Sequence, residues 1–310
     1  MRNNIYKGVF AALILPFKNN HTIHESELRR FSSWLTSFDG MNGLLTNGHS
    51  GEIFSLSIKE RAQVTRIVRD EISRDIPLIS AVGAEGIPEA LEHSGLIKEA
   101  GANAILVMPP HHWIRFGMQP EHVIDYFNAI GKSTNLDLIV HVYPSWTKAS
   151  YTSEVLGELA KIEWVKSFKI GTRDMSKYAR DISTIRAFGP EKTILTCHDE
   201  YLLASMIQGV DGALVGFASF LPKLIIDLYK AVKNGDLFLA QRLQKEILPL
   251  KEIVYGDGDT STEAHARMKT AMMCAGILKN DNVRPPVSKT SKSEKLKIDK
   301  VVKNSNISFK

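Results

Sequence analysis

Eight short apolar runs, rich in β-branched and aliphatic residues, recur along the chain at 9–15, 43–46, 77–82, 104–108, 138–142, 164–168, 193–196 and 212–215. Between most of them lie stretches with helical spacing, such as Leu28, Phe31, Leu35 and Phe38, or Val155, Leu156 and Leu159 behind Ser153, which is placed to cap that helix. Parallel strands need a crossover long enough to hold a helix, and those helices cover the sheet. Strand and helix alternating eight times therefore predict an α/β chain folded as a (β/α)8 TIM barrel. In that architecture the loops after the C-terminal strand ends carry the chemistry. The polar residues just past each run are then the site candidates: His49 and Ser50, Glu85, His111 and His112, His141 and Tyr143, Lys169, His198 and Glu200, and Ser219.

The chain has 310 residues, more than a barrel of about 250 requires. The catalytic barrel is assigned to residues 1–220. Amphipathic segments at 222–232, 236–248 and 262–275 assign 221–287 to a C-terminal helical extension. Residues 288–310 hold seven lysines against Glu294 and Asp299, a balance of +5 that equals the formal net charge of the whole chain. This segment reads as a solvated, disordered tail. The remainder is neutral and has no arginine-rich stripe with interleaved aromatics, so no nucleic-acid partner is expected. No apolar stretch has the length of a signal peptide or a membrane span, and Cys197 and Cys274 show no metal-type spacing. A reduced, cytoplasmic protein without a membrane partner is expected.

Lys169 ends the run Trp164-Val-Lys-Ser-Phe-Lys169, where its side chain points into the barrel mouth. Aliphatic surroundings desolvate the amine and lower its pKa from about 10.4, and only the neutral amine attacks a ketone. The resulting protonated imine withdraws electrons from the adjacent carbon, so a bond one position further away can break. Gly48-His49-Ser50-Gly51 is a second element, a tight turn whose glycines let the backbone present N–H groups to an anion.

These elements, with Gly8-Val-Phe-Ala-Ala-Leu-Ile-Leu-Pro-Phe17, Glu60-Arg61, Pro109-Pro110, Pro144 and Arg284-Pro-Pro, resemble the dihydrodipicolinate synthase and N-acetylneuraminate lyase superfamily across roughly 7–287. The resemblance implies a barrel that assembles as a homotetramer, a dimer of dimers. It also implies that Lys169 forms a Schiff base with pyruvate or another 2-oxo acid, with Ser50 and the backbone at Gly48 and His49 holding the carboxylate and no cofactor needed. The chain departs from the family at the proton relay, where a threonine and two tyrosines become His49, His112 and His141. His112 corresponds to a residue supplied across a dimer interface. The arginine two residues after the strand-five proline is Trp146, which argues against a true dihydrodipicolinate synthase.

Catalytic roles are thus expected for Lys169, His141, Tyr143, His49 and His112, with His141 the foremost acid and base and Tyr143 its alternative. Substrate contacts are expected from Gly48, His49, Ser50, Trp146, His198 and Arg173, while Asp199 fits a helix cap equally well and His111 reads as a bystander. Imidazole titrates near pH 6.5, so a histidine relay predicts a pH limb there. The expected activity is a Schiff-base aldolase or dehydratase acting on a 2-oxo acid. A barrel that has lost turnover and serves as a binding or regulatory protein is the alternative. A metal-dependent hydrolase using His49, His112, His141 and His198 is a further one, but no metal is expected because the chain lacks a His-x-His pair on its first strand.

Overall fold

Hydrogen bonding joins the runs into one closed parallel barrel: β1 (Gly8–Ala12), β2 (Met41–Thr46), β3 (Leu78–Val82), β4 (Ala104–Val107), β5 (Asp137–Val142), β6 (Val165–Ile170), β7 (Thr193–Thr196) and β8 (Gly212–Val215). The structure is a computed structural model, and residues 5–199, 201–256, 264–305 and 307–309 are described. Each strand pairs with its sequence neighbours, and β8 returns to β1. At that seam Gly212 faces Gly8 so closely that a Cβ on Gly212 would stand 2.0 Å from the Gly8 carbonyl oxygen. The first run stops being a strand at Ala12. Leu13 makes one more bond to the Leu45 carbonyl, at 2.9 Å, and Pro16 has no N–H to continue the ladder.

Two apolar layers follow from the alternation of side chains along each strand. Phe10, Leu45, Ile79, Leu106, Ile139, Leu195 and Leu214 fill the barrel, and Tyr6 closes its lower end by donating to the Asp137 carboxylate at 2.9 Å. Val9, Leu44, Leu78, Ile105, Val140, Phe168, Ile170 and Ile194 face outward against the helices. Lys169 and His141 therefore have the inward parity of Ile139 and Leu195, and the β5–β6 register places them side by side.

The C-terminal extension comprises helices Pro222–Lys233, Leu237–Tyr255, Ala264–Cys274 and Lys292–Asn304. Thr262, assigned above to the third of these, lies outside the described residues. Two local expectations are corrected. Thr152, rather than Ser153, caps the helix Ser153–Lys161 by accepting from the Val155 N–H, while the Ser153 hydroxyl donates to Asp181 at 2.7 Å. The lysine-rich 288–310 segment is also not a disordered tail. Ser291 and Glu294 form a reciprocal capping box that starts the last helix. Ile298 and Val302, one turn apart, are buried against the extension, and Phe309 stacks on Phe220 with ring centroids 5.6 Å apart. Composition concealed this because the apolar stripe is only a few residues wide among many lysines, whose charged ends remain in water.

Removing the Ile298 side chain tests this docking. Ile298→Ala should cost about 2–5 kcal/mol of stability, the usual range for emptying a packed aliphatic site, and lower the melting temperature. A solvated tail would leave the melting curve unchanged.

Candidate active site

A cavity of about 610 Å³, counted out to its solvent opening, lies at the C-terminal ends of the strands. Its lining includes Ala12 of β1, the Gly48-His49-Ser50 turn, Tyr143, Lys169, Cys197, Asp199 and Gly216. The extension supplies Tyr255, Ala264, His265 and Met268. Lys169 is 8% exposed, and desolvation lowers the pKa of its amine, opposed by the nearby Cys197 and Asp199. Asp199 also stands two residues past the inward Cys197, so strand parity carries it to the cavity. There its carboxylate accepts from the Phe217 N–H at 2.9 Å and from the Tyr255 hydroxyl. It is a wall of the site rather than a helix cap.

The 48–51 turn is held from beneath. Asn47 adopts φ +58° just before Gly48, and its buried amide donates to the Arg61 carbonyl at 2.9 Å and the Ser80 hydroxyl at 2.9 Å. Asn tolerates this left-handed conformation better than most residues. Gly51 bonds back to the Gly48 carbonyl at 3.0 Å, and a Cβ there would sit 3.1 Å from the Leu13 carbonyl oxygen. The Ser50 hydroxyl reaches the Ala12 carbonyl only at 3.4 Å, leaving it close to the amine-bearing cavity without a short bond.

The histidines divide. The His49 and His141 rings approach to 5.5 Å between centroids, and His141 and Tyr143 to 6.1 Å. His141 is fully buried behind the lining residues, and neither ring nitrogen has a hydrogen-bond partner. His112 is not in the cavity. It opens a short surface helix, His112–Phe116, where its N–H donates to the Glu85 carboxylate at 2.9 Å. Its neighbour His111 is instead the nearer ring, bonded to Glu85 at 2.9 Å and packed on Phe54, which in turn meets His49. His198 does not contact the cavity either. It has the outward parity of Thr196 and packs on Tyr178 and Tyr201. Arg173 lies near His198 and is absent from the lining. The side chain of Trp146 and the whole of Glu200 lie outside the described residues. Among the described residues no three metal-ligating side chains converge, and His112 and His198 of the hydrolase reading stand apart from the His49–His141 pair.

The model of the dihydrodipicolinate synthetase family matches residues 5–305. The chain belongs to that family. It is accordingly a lyase of the class that works through a lysine Schiff base on a 2-oxo acid. A probable 2-dehydro-3-deoxy-D-pentonate aldolase of Escherichia coli, YjhH, is 25% identical over 294 residues, covering 94% of this chain and 95% of that protein. The fold matches YagE, an Escherichia coli prophage protein of the family solved with pyruvate, at TM-score 0.89 and 22% identity, over 97% of this chain and 99% of that one. It likewise matches the dihydrodipicolinate synthase of Thermotoga maritima at TM-score 0.88 and 20% identity, over 97% and 99%. No helix among the described residues is long and apolar enough to cross a membrane.

Burial of the histidines argues against the expected pH limb. Burial, with the Lys169 charge and His111 adding to it, pulls His49 down to about 3, and burial beside Lys169 holds His141 well below its ordinary value. Burial thus pushes both toward the neutral imidazole. Activity should show no histidine limb near pH 6.5. His141→Phe should lower the rate without reshaping the profile between about pH 6 and 8, where an unburied histidine would titrate. Stability should respond differently. Below about pH 6.5 the unfolded chain takes up protons that the native His49 and His141 refuse, so denaturation midpoints should fall as the pH drops from there toward 3.

Proposed function

We propose that this chain is an aldolase that cleaves a 2-dehydro-3-deoxy sugar acid to pyruvate and a hydroxyaldehyde. One observation carries this reading: a single cavity pairs a desolvated amine and an anion-binding turn with the Asp199–Tyr255 acceptor and donor pair, and its described lining contains no arginine. The turn and amine suit the common 2-oxo acid end. Asp199 and Tyr255 suit the hydroxyls of a polyol arm rather than a second carboxylate. The activity in the name of YjhH agrees with this assignment.

The carboxylate lies on the N–H groups of 48–50 with the Ser50 hydroxyl. Neutral Lys169 adds to C2, the carbinolamine loses water, and a protonated imine forms. The C3–C4 bond then breaks as the C4 hydroxyl loses its proton, and the bonding electrons move into the imine to give an enamine. Protonation at C3 and hydrolysis of the imine release pyruvate and restore the amine. His49 and Tyr143 are the proton-transfer groups that the cavity exposes, with His141 placed behind His49 to share the proton. Their neutrality matters because a cation beside the imine would oppose its formation.

Borohydride with pyruvate should add irreversibly to Lys169, and Lys169→Ala should abolish the adduct while the protein still melts cooperatively. Asp199→Ala should raise KM for a 2-dehydro-3-deoxypentonate by about tenfold or more, the scale of a lost hydrogen bond to a charged group, while sparing pyruvate trapping. An adduct on another lysine, as seen by peptide mass spectrometry, would remove the assignment.

We further propose a homotetramer built from dimers, in which His112 serves the neighbouring site. Its short helix leaves Ile114 and Phe116 52% and 78% exposed, and Phe54, 53% exposed, lies on the same side through His111. Apolar residues grouped this way mark a contact surface. Light scattering should report a tetramer. An active monomer would take His112 out of the relay.

A further inference from the structure

Two residues past Ser50, Glu52 holds a left-handed backbone at φ +56° and is almost fully buried, so its carboxylate must be matched within the protein. The partner is Lys269 of the Ala264–Cys274 helix, itself 1% exposed, whose ammonium bonds Glu52 and also donates to the Asn282 carbonyl at 2.8 Å. The Arg284 N–H donates to the other Glu52 oxygen at 3.1 Å. Phe17, on the loop after β1, lies between the Lys269 ammonium at 4.6 Å and the Arg284 guanidinium at 4.8 Å from its ring. The Asn282 amide also donates to the Phe17 carbonyl at 3.0 Å. The 48–52 turn, the loop after β1 and the extension therefore meet at one buried ion pair. The helix that supplies the lysine also presents Ala264, His265 and Met268 to the cavity.

We propose that Lys269 is a positioning residue for the 2-oxo acid carboxylate: by gripping Glu52 it holds the 48–50 turn in the conformation that aims its N–H groups into the cavity. Asn47 anchors the start of the turn and the Gly51 N–H closes it on the Gly48 carbonyl, but its far end is tied to the extension through Glu52. The Glu52 N–H reaches back to the His49 carbonyl at 3.0 Å, and the Ser50 hydroxyl makes only long contacts to β1. Without the pair, the backbone at Glu52 can relax from its left-handed state, which is unfavourable for a residue with a side chain of this size. That relaxation would rotate the Gly48, His49 and Ser50 peptides away from the carboxylate, while Lys169, on β6, would remain where it is.

This rests on the reading that the turn binds the carboxylate, and the experiment separates the two. Apparent affinities are measured by the concentration dependence of borohydride trapping on Lys169 for pyruvate and for hydroxyacetone, a ketone with no carboxylate. Wild type should trap pyruvate at much lower concentration. If it does not discriminate between them, the carboxylate reading fails. Glu52→Gln keeps the size and hydrogen-bonding atoms but removes the charge. The double variant Glu52→Gln/Lys269→Met removes both charges, avoids a lone buried ion and is expected to fold. In each, the pyruvate concentration for half-maximal trapping should rise about tenfold or more, the scale of weakening a charged hydrogen bond. Hydroxyacetone trapping and the maximal trapping rate should stay within about twofold of wild type, since Lys169 is untouched. A purely structural pair would instead lower the maximal amplitude for both ketones in proportion to the folded fraction, with their ratio unchanged. That outcome, or unchanged pyruvate affinity in a folded double variant, overturns the proposal.

Discussion

Taking the Lys169 amine out of water sets the terms for everything around it. An ammonium in an aliphatic barrel is costly, and the protein meets that cost by favouring the neutral amine, which is the reactive form. Placing the lysine on a strand of a closed barrel makes the burial unavoidable, since the inward parity that carries Ile139 and Leu195 carries Lys169 too. Asp199 faces the cavity, accepts from the Phe217 N–H and the Tyr255 hydroxyl, and its charge opposes the loss of the proton from the amine.

The same desolvation reshapes the histidines. Near pH 6.5 a solvated imidazole would switch between charged and neutral forms. Here burial comes first, and whatever charge Lys169 retains acts in the same direction, so His49 and His141 are pushed toward the neutral form. Three relay histidines in sequence become two rings in the cavity region and a third at the surface on Glu85.

The extension is part of the site. Tyr255, His265 and Met268 close the cavity, and Lys269 ties the same segment to the turn that begins it. Tertiary packing also explains the final helix. Ile298 and Val302 are docked by neighbours far away in sequence, so the lysine count of the segment carried no information about its order.

Periodicity by itself determined the barrel: strand runs and amphipathic stretches are local patterns, and each strand was legible to within a few residues because a closed parallel sheet requires an apolar run there. Lys169 and Tyr143 were legible for the same reason, since position at a strand end combined with alternation aims a side chain, while His49 and Ser50 were legible from the glycines of their turn. Where the chain leaves the ladder that rule stops. Asp199 could have been placed by counting in twos from Leu195, and His198 excluded by the same count, but an aspartate just before a helical stretch gave a competing cue for a cap. His112 turns away from its own cavity while His111 lies nearer to it, because a short helix and the Glu85 carboxylate, 26 and 27 residues away, set their directions. Tyr255, Met268 and the Glu52–Lys269 pair, 217 residues apart in sequence, had no local signal at all. Only tertiary structure decided them, because a buried charge is satisfied by whichever partner the fold brings within reach, and distance along the chain does not encode that.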